Sequence, residues 1–294
     1  MHRLLLITLA LGLAAMLPTA TARSERAAQA KVRNGKISFW SDRAFGGRAQ
    51  VFVMSPNGAH QRRLTRLFSA KRGDFSSDGR KLVLDGRARA SLRDFDIFVM
   101  NADGTGLRRL TSGPERDTQA AWSPDRLFVS FVRVTDESSP PSIWIVRANG
   151  SDAHRIASGG SAAWSPDGKR LAVGGFGLTI MNPDGTDART IISGETEVAA
   201  WSHNGGRILL TSYRDGNPEV YVARADGSGL RRLTRKPGED YAADFSPDGR
   251  KILFSSDRTG LRQVYVMNRD GSAARNVTRS RSNDWATSWQ PLSG

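Results

Sequence analysis

The chain has 294 residues, with 43 lysines and arginines against 29 acidic residues, a formal charge of +14 and no cysteine. Disulfides, thiolate chemistry and cysteine lipidation are therefore excluded, and stability has to come from a packed core, for which the length suffices. The charge invites a nucleic-acid reading, but the arginine pairs Arg62-Arg63, Arg108-Arg109 and Arg231-Arg232 recur at intervals instead of gathering in one stripe. They read as a solvated cationic rim, open to weak long-range attraction to anionic surfaces, and no nucleic-acid partner is expected.

Residues 1–30 have the layout of a secretory signal. Arg3 gives a positive start, Leu4 to Leu17 is an apolar run broken by Thr8 and Gly12, and Ala20-Thr21-Ala22 or Ala28-Gln29-Ala30 offers small residues for cleavage. A run of about 14 apolar residues falls short of the roughly 20 that a spanning helix needs. The expectation is an exported domain over residues 31–294, periplasmic or secreted, with no integral membrane segment.

The first elements after this leader are strands at Lys36–Ser41 and Gln50–Met54, with a third near Gln61–Thr65. From there one phrase recurs: DFSSDGR around Phe75, AAWSPDR around Trp122, AAWSPDGKR around Trp164, AAWSHNGGR around Trp201, AADFSPDGRK around Phe245 and TSWQP around Trp289. Its aromatic anchors are spaced by 47, 42, 37, 44 and 44 residues, and a second phrase, VMNADG and its variants, keeps the same beat. The last full unit predicts a strand at Ala242–Phe245, a Ser-Pro-Asp-Gly turn, strands at Lys251–Ser256 and Gln263–Met267, an Asp-Gly turn, and a strand at Ala273–Thr278. Four short antiparallel strands per unit of about 40 residues make one propeller blade. The predicted fold is all-β, a six-bladed β-propeller with strands A to D running outward in each blade. The C-terminal run Ala286–Gln290 supplies the A strand that the N-terminal B, C and D strands lack, so the two ends close one blade and hide two edges.

The Ser-Pro-Asp-Gly turns, the Ser-Asp-Arg at 41–43 and 256–258, the VMNxDG phrase and the Arg-Arg-Leu-Thr runs resemble the repeat of the TolB-type six-bladed propellers, the WD40-like PD40 family, over roughly residues 34–294. The resemblance implies an exported, non-catalytic binding scaffold. It does not extend to the role of TolB itself in the periplasmic Tol-Pal system, since TolB carries a separate N-terminal domain before its propeller and none is expected here.

No G-x-S-x-G nucleophile elbow, phosphate-cradling loop or H-E-x-x-H motif occurs. The four histidines fall in separate units, so no histidine metal site is expected. Asp117, Asp240 and Asp284 each stand five residues before an aromatic anchor. They either accept loop N–H groups and pair with arginines such as Arg43 and Arg258, or ring one mouth of the central channel and hold a basic peptide or a calcium ion; no other cofactor is expected. Tyr241 and Trp285 follow two of these aspartates as exposed aromatics suited to anchoring a partner. With Asp42, Arg43, Arg214, Asp257 and Arg258 they form the candidate ligand-binding set. The B-to-C connections vary most, from Gly174-Gly175-Phe176 to Gly86–Asp94 and Thr135–Ser142, which points to binding on the face they share with the D-to-A loops. The expected function is binding of a protein, a peptide or an envelope polymer through that face. The alternative is a carbohydrate-active enzyme or lyase with carboxylates in the channel.

Overall fold

The computed structural model describes residues 32–88, 95–136 and 138–293; the expected signal segment and most of the basic loop ending at Asp94 lie outside the described residues. Six four-stranded antiparallel sheets follow one another along the chain, each ordered from the innermost strand outward. Blade 1 is formed by Asp284–Ser293, Val32–Ser41, Gln50–Met54 and Arg62–Arg63, so the C-terminal strand lies inside the N-terminal one, with Ser293 opposite Val32 and Asp284 opposite Ser41. Blades 2 to 6 begin with the innermost strands Ser69–Phe75, Arg116–Trp122, Ser161–Trp164, Thr196–Trp201 and Asp240–Phe245.

Second strands are buried on both faces, as their unbroken apolar runs require: Leu82 to Leu84, Ile208 to Leu210 and Ile252 to Phe254 are all at 0% exposure. The apolar clusters lie at the seams between blades. Phe39, Met54, Leu253 and Val266 join blades 6 and 1, and Ala172, Leu178, Leu210 and Tyr221 join blades 4 and 5. A single blade would leave both faces wet; the ring covers them.

The A-to-B turn shows why its phrase recurs. In blade 6 the Asp248 carboxylate accepts from the Ser246 hydroxyl (2.6 Å) and the Arg250 N–H (3.0 Å), while the Ser246 hydroxyl accepts from the Lys251 N–H (2.8 Å). Gly249 then turns left-handed at φ 67°. Arg126 occupies the same position in blade 3 at φ 65°.

Outer strands are shorter than the sequence predicts. The expected Gln61–Thr65 and Ala273–Thr278 reduce to Arg62–Arg63 and Arg275–Asn276. The threonine of each run explains the difference, because its hydroxyl takes over the ladder bond. Val51 N–H donates to Thr65 (3.0 Å), Ile97 to Thr111 (3.0 Å), Val220 to Thr234 (2.9 Å) and Val264 to Thr278 (3.0 Å). The leading arginine reaches across the seam instead. Arg62, Arg108, Arg231 and Arg275 donate to the carbonyls of Asp103 (3.2 Å), Ala148 (2.7 Å), Asp270 (3.0 Å) and Pro56 (3.4 Å) in the next blade. Blades 3 and 4 depart from this: Arg155 bonds Ser158 and Arg189 bonds Asp187, both within their own blade.

Candidate functional site

Five innermost strands carry register irregularities, at Lys71/Asp74, Thr118/Ala121, Val198/Ala200, Ala242/Asp244 and opposite Ser38/Phe39. A bulge re-aims side chains, here toward the axis. Arg72 (φ 47°) and Gln119 (φ 58°) sit in two of them with left-handed backbones, a conformation that costs a non-glycine residue about 1 kcal/mol or more. Residues of all six innermost strands enclose a channel cavity of about 340 Å³, whose mouth on the B-to-C and D-to-A face is formed by Trp40, Arg72, Glu197, Tyr213, Tyr241 and Trp285.

The aromatic rim is a stacked ladder. Trp40 and Trp285 lie parallel at 5.3 Å between centroids, Lys71 stands 5.0 Å from the Trp40 ring, and the Arg262 guanidinium lies 4.1 Å from Trp285 and 4.8 Å from Tyr241. Arg262 is itself held by Glu239 (2.7 Å) and Asp257 (3.0 Å). Across the mouth, the Tyr213 hydroxyl donates to Glu197 (2.7 Å), and burial together with that carboxylate holds its proton well above the usual phenol range.

Below the rim, the polar residue before three of the aromatic anchors faces the neighbouring blade. Asp244 accepts from the Trp289 N–H (2.8 Å), Ser288 from the Phe75 N–H (3.2 Å) and Asp74 from the Trp122 N–H (3.0 Å). Removal from water pushes the Asp74 carboxyl up to about 6. The same effect, reinforced by the Asp74 charge and opposed by the Trp289 N–H, pushes Asp244 up to about 8. Both groups therefore change protonation near neutrality inside the channel wall.

The three aspartates, read either as partners of arginines or as a ring at the channel mouth, are sequestered and do not line the cavity. Asp117, Asp240 and Asp284 are at most 2% exposed. Each is locked by an arginine: Arg133 on Asp117 through two bonds of 2.7 Å, Arg258 on Asp240 at 2.7 Å, and Arg43 on Asp284 at 2.6 Å. The Ser-Asp-Arg phrase is a clip. Its serine accepts from the arginine Nε, as in Ser41–Arg43 (2.9 Å) and Ser256–Arg258 (2.8 Å), and Ser212–Arg214 (3.0 Å) repeats the bond. Its aspartate accepts from the D-to-A loop, Asp42 from the Asn283 N–H (2.9 Å) and Asp257 from the Glu239 N–H (2.7 Å). Of the predicted set, only Tyr241 and Trp285 reach the cavity. The cavity residues missed were Trp40, Arg72, Asp74, Glu197 and Tyr213, and Asp244 was missed in the wall behind them. For Asp74 and Asp244 the signal was available, because they replace the alanine that precedes the anchor in the phrases at Trp122, Trp164 and Trp201.

Among the described residues, no helix is long and apolar enough to cross a membrane. The profile of the PD40 family, described as the TolB beta propeller domain, matches residues 161–293. An uncharacterized protein of Agrobacterium fabrum is 36% identical over 204 residues, which are 61% of this chain and 67% of that protein. TolB from Acinetobacter baumannii superposes with a TM-score of 0.76 at 15% identity, over 87% of this chain and 66% of TolB. An oligogalacturonate lyase in complex with manganese superposes at 0.50 and 15% identity, over 74% and 70% of the two chains. The last two similarities show the fold alone, and the chain spans about two thirds of the length of the relative and of TolB. Sequence match, blade count and strand order agree, and the chain belongs to the TolB-type β-propeller family.

Proposed function

We propose that the protein is an exported scaffold that binds a protein, peptide or cell-envelope component through the face formed by the B-to-C and D-to-A loops, without catalysing a reaction. One observation carries this reading. The half-exposed aromatics Trp40, Tyr213, Tyr241 and Trp285 converge with Arg72 and Glu197 on the mouth of a channel cavity, and large aromatics at the rim of a concavity are efficient anchors. The clips beneath tie down the D-to-A loops that lead into that rim.

The test is affinity capture from an envelope extract by the mature domain and by a Y241A/E197Q variant, with melting curves to verify the fold. The double variant should lose the partner that the parent retains. Equal capture by both proteins would refute this site. A second reading, acid–base chemistry on an acidic glycan, draws on Asp74 and Asp244, whose protons are held into the neutral range within the channel. Turnover of oligogalacturonate that disappears in D74N and D244N would favour it over the scaffold.

A further inference from the structure

Several arginines of the binding face are neutralised. Arg43, Arg133, Arg232, Arg258 and Arg262 each lie against at least one carboxylate. Exposed loop arginines such as Arg66, Arg214, Arg235 and Arg279 have no ion pair among the described residues but line no part of the cavity, whereas in the sector where blades 1, 2 and 3 meet unpaired cations gather beside it. Among the described residues, Arg48, Lys71, Arg72 and Arg116 have no carboxylate within ion-pair distance, and aromatic rings hold three of them in place. Arg48 lies 4.2 Å from the Phe68 ring, Lys71 between Trp40 (5.0 Å) and Phe95 (5.8 Å), and Arg116 at 5.5 Å from Phe95. A ring orients a cation without cancelling its charge toward a ligand. The fourth cation, Arg72, is exposed, lines the cavity, and is held at φ 47° in its bulge.

The charges also act on one another. Burial lowers the Lys71 ammonium, and Arg116, Arg87 and Arg72 lower it further, against only the raising effect of Asp85. Asp85 lies beneath the cluster, 2% exposed and bonded to the Gln119 N–H (3.2 Å). A concentrated positive potential of this kind, next to a concave site, attracts and orients an anion.

We propose that the sector formed by Lys71, Arg72 and Arg116 is the specificity site of the binding face, and that its ligand is an acidic peptide segment whose carboxylates pair with these cations as it enters the channel mouth. This rests on the preceding reading of the face as a binding surface. The cavity favours a peptide over the other polyanions. A space of about 340 Å³ admits a narrow flexible chain, whereas a flat lipid surface would leave the concavity unfilled and meet a Lys71 that is partly covered. Sugar stacking needs a free ring face, and Trp40 and Trp285 have both faces taken by Lys71, each other and Arg262.

The probe is a fluorescein-labelled peptide of alternating glutamate and serine, compared with its lysine-for-glutamate counterpart by fluorescence anisotropy on the mature domain. The acidic peptide should bind, the basic one should not, and binding should weaken as salt is raised from about 50 to about 300 mM. The R72Q/R116Q variant should lose affinity by about ten-fold or more, each arginine supplying a charge-assisted bond. R250Q, on the opposite face, should bind like the parent. Equal binding of both peptides, or an unchanged affinity in R72Q/R116Q, overturns the proposal. So does binding of phosphatidylglycerol vesicles or oligogalacturonate through the same arginines with no peptide binding. If R72Q/R116Q retains envelope capture that Y241A/E197Q loses, this assignment fails while the binding face stands.

Discussion

Asp244 offers a direct test of the channel wall. Burial pushes its carboxyl up to about 8, far above the 3.8 of a free aspartate. The native state keeps a proton that the unfolded chain releases, so this group's contribution is fully favourable below about pH 4 and is lost as pH rises through about 8. Each pH unit of that separation corresponds to about 1.4 kcal/mol, so the wild type should lose on the order of 4–5 kcal/mol from this residue over the interval. Asp244→Asn keeps an oxygen to accept the Trp289 N–H and removes the ionisation. Thermal unfolding of the two proteins from pH 4 to pH 8.5 should show a melting-temperature gap that is small at the acid end and widens steadily, by about 10 °C or more for a domain of this size. Asp74 titrates alongside, but it is present in both proteins and largely cancels from their difference. Parallel curves, or a variant less stable than the parent at pH 8, would refute the description of Asp244 as a carboxyl protonated by its surroundings.

Arg126→Gly should raise stability by about 0.5–1 kcal/mol in a urea titration, since glycine occupies the equivalent left-handed position in blades 2, 4, 5 and 6 and the surface ion pair to Asp78 that is lost contributes little. A lowered midpoint would show that the ion pair outweighs the backbone strain. Deleting residues 284–293 removes the whole innermost strand of blade 1, including the buried Trp289, and should abolish cooperative melting. An unaltered melting curve would contradict the closure.

Residues that build the ring were legible because each blade repeats them for the same local reason. Ser246, Asp248 and Gly249 write one turn, and the apolar run at Lys251–Ser256 ends where its strand ends. The pairing of Ala286–Gln290 with Lys36–Ser41 followed from counting strands, and the structure extends it to Asp284–Ser293 and Val32–Ser41. The site was harder to read because it lies where the repeat is broken. Asp240 and Asp284 were singled out for their recurrence, yet recurrence marks what every blade needs for its own closure, and both are buried beneath arginines. Arg72 and Gln119 project toward the axis only because a bulge shifts the alternation of their strands, and a bulge leaves no composition signal of its own. The stacking of Trp40 on Trp285 joins residues 245 positions apart, a contact that only the closed blade creates.

The arginine bonds that cross from one blade to the next are present at the seams leaving blades 1, 2, 5 and 6 and are replaced by internal bonds in blades 3 and 4. Reinforcement thus covers the four seams nearest the join between the two chain termini, and it is missing from the two that flank blade 4, diametrically across. If the circle breathes, it should part next to blade 4, where exchange of backbone protons with heavy water would be fastest, and the stitched joint would be the last to give.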